Sequence, residues 1–124
     1  MEQVTRARCH CGAVVLAITD MEPLESAARC NCSFCKRRQA ANITVPVAAL
    51  TVEQGADALA LYSFGTHTAQ HYFCKTCGIY THHRRRSDPN VYGVNIGCID
   101  GVDPSELEPF HWHDGIDHPS DRDR

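Results

Sequence analysis

Long apolar runs are missing from this sequence of 124 residues. The longest, from Ala13 to Ile18, is far too short for a helix to cross a bilayer, so we predict no membrane span. The stretch MEQVTRARC at the N-terminus has no apolar segment of the kind that signal peptides carry. No internal repeat and no linker divides the chain, and its length is typical of one domain. We therefore expect a single-domain cytoplasmic protein without a membrane partner.

A strong charge of either sign is also lacking, since the net charge is −3 at pH 7. Residues 1–99 hold ten Lys and Arg against seven Asp and Glu, whereas residues 100–124 hold two against eight. The small positive excess of the body does not indicate nucleic-acid binding. The acidic stretch DGIDHPSDRDR has few apolar residues to pack. We predict an ordered domain over 1–113 and a disordered acidic tail over 114–124.

Cysteine, in contrast, is abundant, with eight residues in the chain. In a secreted protein this number would indicate disulfides, but without a secretion signal metal binding is the better interpretation. Seven of the eight lie in short clusters: CHC at Cys9 and Cys11, CNCSFC at Cys30, Cys32 and Cys35, and CKTC at Cys74 and Cys77. Only Cys98 stands alone.

The hydrophobic pattern predicts a mainly β fold. Apolar residues recur mostly at every second position, which is typical of strands. Pro46 interrupts one such segment and indicates a sheet edge or a bulge. One short helix is predicted from Phe34 to Ala41, directly after the cysteine triple. Seven or eight short strands are expected, including those over 13–19, 42–50, 58–64, 67–74, 79–84 and 91–99.

The two cysteine pairs together supply four thiolates. Zn²⁺ accepts four sulfurs in a tetrahedral, closed site whose role is structural. Gly12 and Gly78 each follow a pair, and glycine permits the positive φ that turns backbone amides toward sulfur. We predict that Cys9, Cys11, Cys74 and Cys77 hold a structural zinc that joins the N-terminal strand to the strand near residue 74. The alternative is a set of reduced, buried cysteines without metal.

The cysteine triple offers only three ligands. Catalytic zinc sites keep three protein ligands and leave a fourth position for water or substrate. Cys30, Cys32 and Cys35 can hold one ion from a single loop, and an incoming thiol would be the fourth ligand. Zinc would deprotonate that thiol, whose free pKa is about 8.5.

Two alternatives for the triple remain open. A further residue could close it into a second structural site, and the candidates are Cys98, His67, His71, His82 and His83. The triple could also be a redox-active or weakly metallated cluster. The pair in HWH, His111 and His113, has the spacing of a metal clamp, but near a chain end we expect it to hold no metal.

Basic residues surround the triple. Arg29, Lys36, Arg37 and Arg38 offset the charge of the thiolates and could contact the carboxylates of a thiol substrate. The alternative is that they form the solvated face of a short helix.

The order of these motifs resembles a known family. CHCGAV, the C-x-C-x-x-C triple with trailing Arg, YFCKTCG and VNIGCID follow one another as in the glutathione-dependent formaldehyde-activating enzymes, a family that includes the zinc-binding domain of centromere protein V. The match covers roughly residues 8–104. Asn31 stands where many members have His between the first two cysteines of the triple, and since that residue is not a ligand the site should persist.

This resemblance implies a β-tent fold with two zinc ions, a structural one on the four paired cysteines and a catalytic one on Cys30, Cys32 and Cys35. It also implies a reaction, the addition of glutathione's sulfur to formaldehyde, which is a carbon–sulfur lyase reaction written in reverse. We therefore expect a zinc enzyme that joins a glutathione-like thiol to a small aldehyde, or cleaves the product. Tyr80, His71 and His82 are candidates for the acid that protonates the carbonyl oxygen.

A non-catalytic interaction module is the alternative function. In that case the basic run at 84–86 would be the place to look for an acidic or nucleic-acid partner. A filled fourth position at the triple favours the module, and an open one favours the enzyme. The pattern does not indicate an oligomeric state.

Overall fold

The computed structural model describes residues 3–86 and 88–115. Within them, ten short strands and one α-helix, α1 (Cys35–Arg38), are joined by turns and short 3₁₀ segments. The strands are β1 (Thr5–Arg8), β2 (Val15–Ile18), β3 (Ala28–Cys30), β4 (Asn42–Pro46), β5 (Leu50–Gln54), β6 (Leu59–Tyr62), β7 (Gln70–Cys74), β8 (Tyr80–Arg84), β9 (Val91–Asn95) and β10 (His111–His113). The predicted mainly β class is confirmed.

The strands form two sheets. One has three strands in the order β1-β2-β5, and the other has seven in the order β10-β3-β4-β9-β8-β7-β6. Neighbouring strands are antiparallel except β10 and β3, which run parallel with His113 opposite Cys30. This parallel pair places the end of the described chain beside the cysteine triple.

One buried apolar cluster joins the two sheets. Leu16 and Ile18 of β2 lie in it together with Ile43 and Val45 of β4 and Val94 of β9, each at most 1% exposed. Alternate residues of β2 and β4 share a face, as the pleat of a strand requires. Burying each such side chain contributes about 1.5–3 kcal/mol, so the cluster holds the sheets as one unit.

Several elements differ in extent from the predictions. Helix α1 is shorter, because Gln39 adopts a left-handed conformation with φ 54° and its N–H closes the last turn on the Cys35 carbonyl. The predicted strand over 42–50 ends at Pro46, and a 3₁₀ segment (Val47–Ala49) leads into β5. Beyond Asn42, β4 pairs with β9 alone, which leaves the other side of Pro46 unpaired.

Four strands were not among the predicted segments. They are β1, β3, β5 and β10, each three to five residues long. So few residues give little alternation to detect. Of the tail predicted from 114, only Asp114 and Gly115 lie within the described residues. No helix in the described part of the chain is long or apolar enough to cross a membrane.

Candidate functional site

The two cysteine pairs meet where the two sheets approach each other. Cys9 and Cys11 lie in the turn between β1 and β2, whereas Cys74 ends β7 and Cys77 lies in the turn before β8. The four sulfur atoms all lie within 4.8 Å of one another. The Cys9–Cys11 and Cys11–Cys74 sulfur separations are 3.6 and 3.7 Å. The cluster therefore connects the small sheet to the large one.

The geometry of the four-cysteine cluster fits a metal ion. Four sulfurs at about 2.3 Å from a tetrahedral zinc lie about 3.8 Å apart, close to the separations found here. A disulfide needs sulfurs at about 2.0 Å, and these cysteines are free thiols. The amides of Val14 and Cys77 point at the sulfurs of Cys9 and Cys74, at 3.3 and 3.5 Å. Such N–H groups stabilise thiolates.

The glycines after each pair adopt the conformation expected of them. Gly12 has φ 81° and Gly78 has φ 79°, both in the left-handed region. The Gly12 amide bonds to the Cys9 carbonyl and the Gly78 amide to the Cys74 carbonyl. Hydrogen bonds from backbone amides, those of Cys11 and Ile79, lower the pKa of Cys77 to about 6. Cys77 can therefore be a thiolate at neutral pH, whereas the pKa of Cys11 is raised to about 11 in the metal-free cluster.

The three-cysteine cluster is built by one strand end, one loop and one helix start. Cys30 ends β3, Cys32 lies in the loop and Cys35 begins α1, with their sulfurs within 4.8 Å of one another. The Cys35 amide donates to the Cys32 sulfur at 3.2 Å. Hydrogen bonds from Cys30 and Cys35 hold the pKa of Cys32 below its usual value, while bonds with Cys30 and Cys32 raise the pKa of Cys35.

No fourth ligand completes this cluster among residues 3–86 and 88–115. Within them, no further Cys, His, Asp or Glu places a ligand atom within 4.8 Å of all three sulfurs. Cys98 is buried elsewhere and donates to the Tyr80 carbonyl at 3.5 Å. His82 stacks on Tyr72, on the other face of the sheet from the cluster. The open side of the three sulfurs faces a cavity.

The end of the described chain packs over the cluster. The backbone N–H of Asn31 donates to the His113 carbonyl. The side-chain oxygen of Asn31 accepts from the backbone N–H of Gly115 at 2.7 Å. A Cβ atom at Gly115 would lie 2.4 Å from the Cys30 sulfur, so only glycine fits there. Asn31 therefore anchors this segment rather than serving as a ligand.

The cavity beside the cluster measures about 830 Å³. This is within the usual range for small-molecule sites. All three cysteines of the cluster line it, and the titratable or aromatic residues that join them are His71, His83, His113, Arg29, Arg85, Arg86, Glu22, Asp114 and Phe64. The space is far larger than formaldehyde and holds groups of both charges.

The four basic residues predicted to contact substrate carboxylates lie in different places. Arg29 lines the cavity but already bonds to the Gln39 carbonyl at 2.9 Å and to Glu108 at 3.2 Å. Lys36 and Arg37 are exposed and are not among the residues that line the cavity. Arg38 is half-buried behind the cavity wall, with its guanidinium 3.7 Å from the centre of the Tyr80 ring.

The three candidates for the acid also differ in whether they line the cavity. His71 lines the cavity, but Tyr80 and His82 do not. The Tyr80 hydroxyl donates to Asn42 at 2.7 Å and also contacts His83 Nδ1. Burial raises the pKa of Tyr80, so its phenol stays protonated. Burial also lowers the pKa of His82 to about 4.

The cavity contains two arginines that the sequence indicated only as part of a basic run. Arg85 and Arg86 line it, whereas Arg84 lies against the Tyr92 ring at 5.8 Å. The run therefore does not form one continuous basic surface. Alternation continued past the end of β8 was the available signal for Arg85, because His83 and Arg85 fall on the same face of an extended chain, but it does not account for Arg86.

Two comparisons relate this chain to known proteins. Residues 4–113 match the family described as glutathione-dependent formaldehyde-activating enzyme. A crystal structure of a Rhodobacter sphaeroides protein has a similar fold, with a TM-score of 0.85 and 49% sequence identity, covering 87% of this chain and 99% of that one.

Proposed function

The chain belongs to the family of glutathione-dependent formaldehyde-activating enzymes, and from this premise we propose that it joins a carboxylate-bearing thiol such as glutathione to formaldehyde or a small aldehyde, or cleaves the product. The reaction is of the carbon–sulfur lyase type. One observation carries the proposal: the three-cysteine cluster opens on a cavity of about 830 Å³, with no fourth metal ligand in the described part of the chain.

We propose zinc as the metal at both clusters. In the four-cysteine cluster, thiolate ligands at sulfur separations near 3.7 Å suit tetrahedral Zn²⁺, and in the three-cysteine cluster the sulfurs lie within 4.8 Å of one another. The four-cysteine cluster would hold a structural ion. Cys30, Cys32 and Cys35 would hold the catalytic one, whose charge would lower the pKa of a thiol bound beside them and so supply a thiolate at neutral pH.

The chemical step forms one carbon–sulfur bond. A sulfur lone pair of the thiolate attacks the carbonyl carbon of the aldehyde, and the π electrons of the C=O bond move to oxygen. The oxygen then takes a proton from water, and the proton that the thiol released restores that water. No electrons are gained or lost overall, so no redox partner is needed. The cavity residues have to hold the thiol and meet the charge that develops on oxygen.

The rest of the thiol substrate contacts the charged cavity wall. Its carboxylates meet Arg85 and Arg86, with Arg29 beside them, because a guanidinium binds a carboxylate through paired hydrogen bonds. Glu22 lines the same cavity and suits a substrate ammonium group. Lys36 and Arg37 are exposed outside the cavity lining and have no part in this recognition.

Exchange spectroscopy tests the activity. Zinc-loaded protein with glutathione and ¹³C-formaldehyde should interconvert free and adduct formaldehyde faster than buffer alone. Cys32→Ser removes one ligand of the catalytic cluster and should return the rate to that of buffer. Cys98→Ser is the matched control, since Cys98 belongs to neither cluster, and it should keep the wild-type rate. A wild-type rate equal to that of buffer would rule out the enzyme and favour the interaction module.

A pair of double variants tests the carboxylate contacts. Arg85→Gln with Arg86→Gln should raise the KM for glutathione at least about tenfold, because each charge-assisted hydrogen bond contributes about 1.5–3 kcal/mol. The KM for mercaptoethanol, which has no carboxylate, should change less than about twofold. Lys36→Gln with Arg37→Gln removes the same charge outside the cavity and should change neither value. Equal effects of the two double variants on glutathione would contradict this assignment.

A further inference from the structure

Arg38 occupies an unusual position between the cysteine cluster and two histidines. Its guanidinium lies between the rings of Phe34 and Tyr80, at 4.6 and 3.7 Å from their centres. One terminal nitrogen is 3.0 Å from His71 Nδ1. The other is 3.5 Å from both His83 Nδ1 and the Cys35 sulfur. A single side chain thus touches a predicted metal ligand and two residues of the cavity wall.

This contact determines where His71 carries its proton. A guanidinium has only N–H donors and stays charged in proteins. The His71 nitrogen that faces it, Nδ1, must therefore accept and carries no proton. A neutral imidazole has one N–H, so the proton lies on Nε2. Burial, together with the charge of Arg38, lowers the pKa of His71 to about 4, which agrees with a neutral ring.

The other edge of His71 opens to the cavity. His71 is a lining residue, and its ring is held by stacking on Phe64 and His83, at interplanar angles of 13° and 24°. No side chain or backbone group in the described residues bonds to its Nε2. In the described chain, the buried side-chain nitrogens without a hydrogen-bond partner are Arg38 Nε and Arg84 Nε, and His71 Nε2 is not one of them. A fixed N–H donor is therefore presented to the space beside the three sulfurs.

We propose that His71 is a catalytic residue whose Nε2–H donates a hydrogen bond to the aldehyde oxygen, and that Arg38 is the positioning residue that fixes its orientation. This inference rests on the proposed function. As sulfur attacks carbon, negative charge grows on the oxygen, and a preoriented N–H in a low-dielectric site stabilises it. His71 remains neutral throughout, and the oxygen obtains its proton from water. In the reverse direction the same bond stabilises the departing aldehyde.

Two substitutions at His71 distinguish the effect of losing the N–H donor from the effect of losing the packing of the ring. Asparagine can still accept from Arg38 near the position of Nδ1 but places no N–H near that of Nε2. Glutamine is longer and places an amide N–H near Nε2. In zinc-loaded protein, His71→Asn should lower the exchange rate about 100-fold with the KM for the thiol unchanged, as for loss of one oxyanion donor. His71→Gln should stay within about tenfold of wild type.

The matched control is His82→Asn. His82 is the neighbour of His83 in β8, is 2% exposed and packs against Tyr72 and Tyr92 away from the cavity. The same substitution there should leave the rate unchanged. Equal losses in His71→Asn and His71→Gln would show that packing matters rather than the N–H, and a wild-type rate in His71→Asn would also overturn the proposal.

A readout without activity tests the role of Arg38. Two-bond ¹H–¹⁵N correlations of the zinc-loaded protein at neutral pH should show His71 protonated at Nε2 alone, with its signals identified by their loss in His71→Asn. Arg38→Met removes the donor at similar side-chain length and should populate the other tautomer. A proton on Nδ1 in wild type would overturn the inference. If wild type is inactive, the proposed function fails and the role of His71 fails with it, whereas active wild type with an unaffected His71→Asn rejects this inference alone.

Discussion

Replacing Cys74 by serine should unfold much of the protein at temperatures at which Cys32→Ser keeps its native fold. Cys74 is 0% exposed, ends β7 beside the edge strand β6 of the large sheet, and shares its cluster with two cysteines from the turn between β1 and β2 of the small sheet. A structural zinc contributes about 10–16 kcal/mol in zinc-finger peptides, which is comparable with the whole stability of a domain. We expect the melting temperature to fall by more than about 10 °C, equivalent to roughly 3 kcal/mol.

The contrast with Cys32 follows from where each cluster lies. Cys30, Cys32 and Cys35 belong to one short stretch of chain, so an ion there joins no distant strands. Cys32→Ser should therefore shift the melting temperature by only a few degrees. Cys98→Ser controls for placing a hydroxyl at a buried cysteine outside both clusters. Circular dichroism melts of the three variants are the measurement, and equal losses for Cys74→Ser and Cys32→Ser would refute the division into structural and catalytic ions.

Stepwise metal removal should separate the same two sites without mutation. Protein purified with zinc supplied should contain two zinc ions per chain by elemental analysis. A chelator of moderate strength should first remove the ion of the three-cysteine cluster, because an ion there would have three protein ligands and would face the cavity. One zinc per chain should then remain, with the strand signal in circular dichroism intact and the exchange activity lost.

A stronger chelator should remove the second ion and unfold the protein. The four thiols of that cluster fold into place with the two sheets, so the binding free energy of the metal is also folding free energy. Adding zinc back to the one-zinc form should restore activity, and this serves as the control for damage. One zinc or fewer per chain in zinc-supplied protein would contradict the two-site proposal, as would loss of both ions in a single step.

Cysteine spacing was sufficient to group the candidate ligands. Residues two or three apart can chelate one ion whatever the distant chain does, so CHC, CNCSFC and CKTC define their clusters locally. That the first and third groups meet was an inference from ligand number, and the structure brings their sulfurs within 4.8 Å. The motif order indicated the family, which the match over residues 4–113 confirms. Alternating apolar residues indicated the mainly β class.

The cavity wall, in contrast, was not readable from neighbours in sequence. Arg37 and Arg38 are adjacent, yet about 100° of helical rotation separates them, and one is exposed while the other packs between aromatic rings. His71 and Arg85 line the same cavity as the cysteine cluster because β7 pairs with β8, and Arg85 directly follows β8. The sequence therefore shows which charged residues lie near a motif, but not whether their side chains face the cavity or the solvent.

The sequence by itself determined the cysteine groups, the mainly β class and the family, because each depends on order and spacing along the chain. Only the tertiary structure decided that Arg85, Arg86 and His71 line the cavity and that Lys36, Arg37, Tyr80 and His82 do not. It also decided that Asn31 secures Gly115 over the cluster. Such contacts join residues that are far apart in the chain. They depend on strand register, helix rotation and packing acting together.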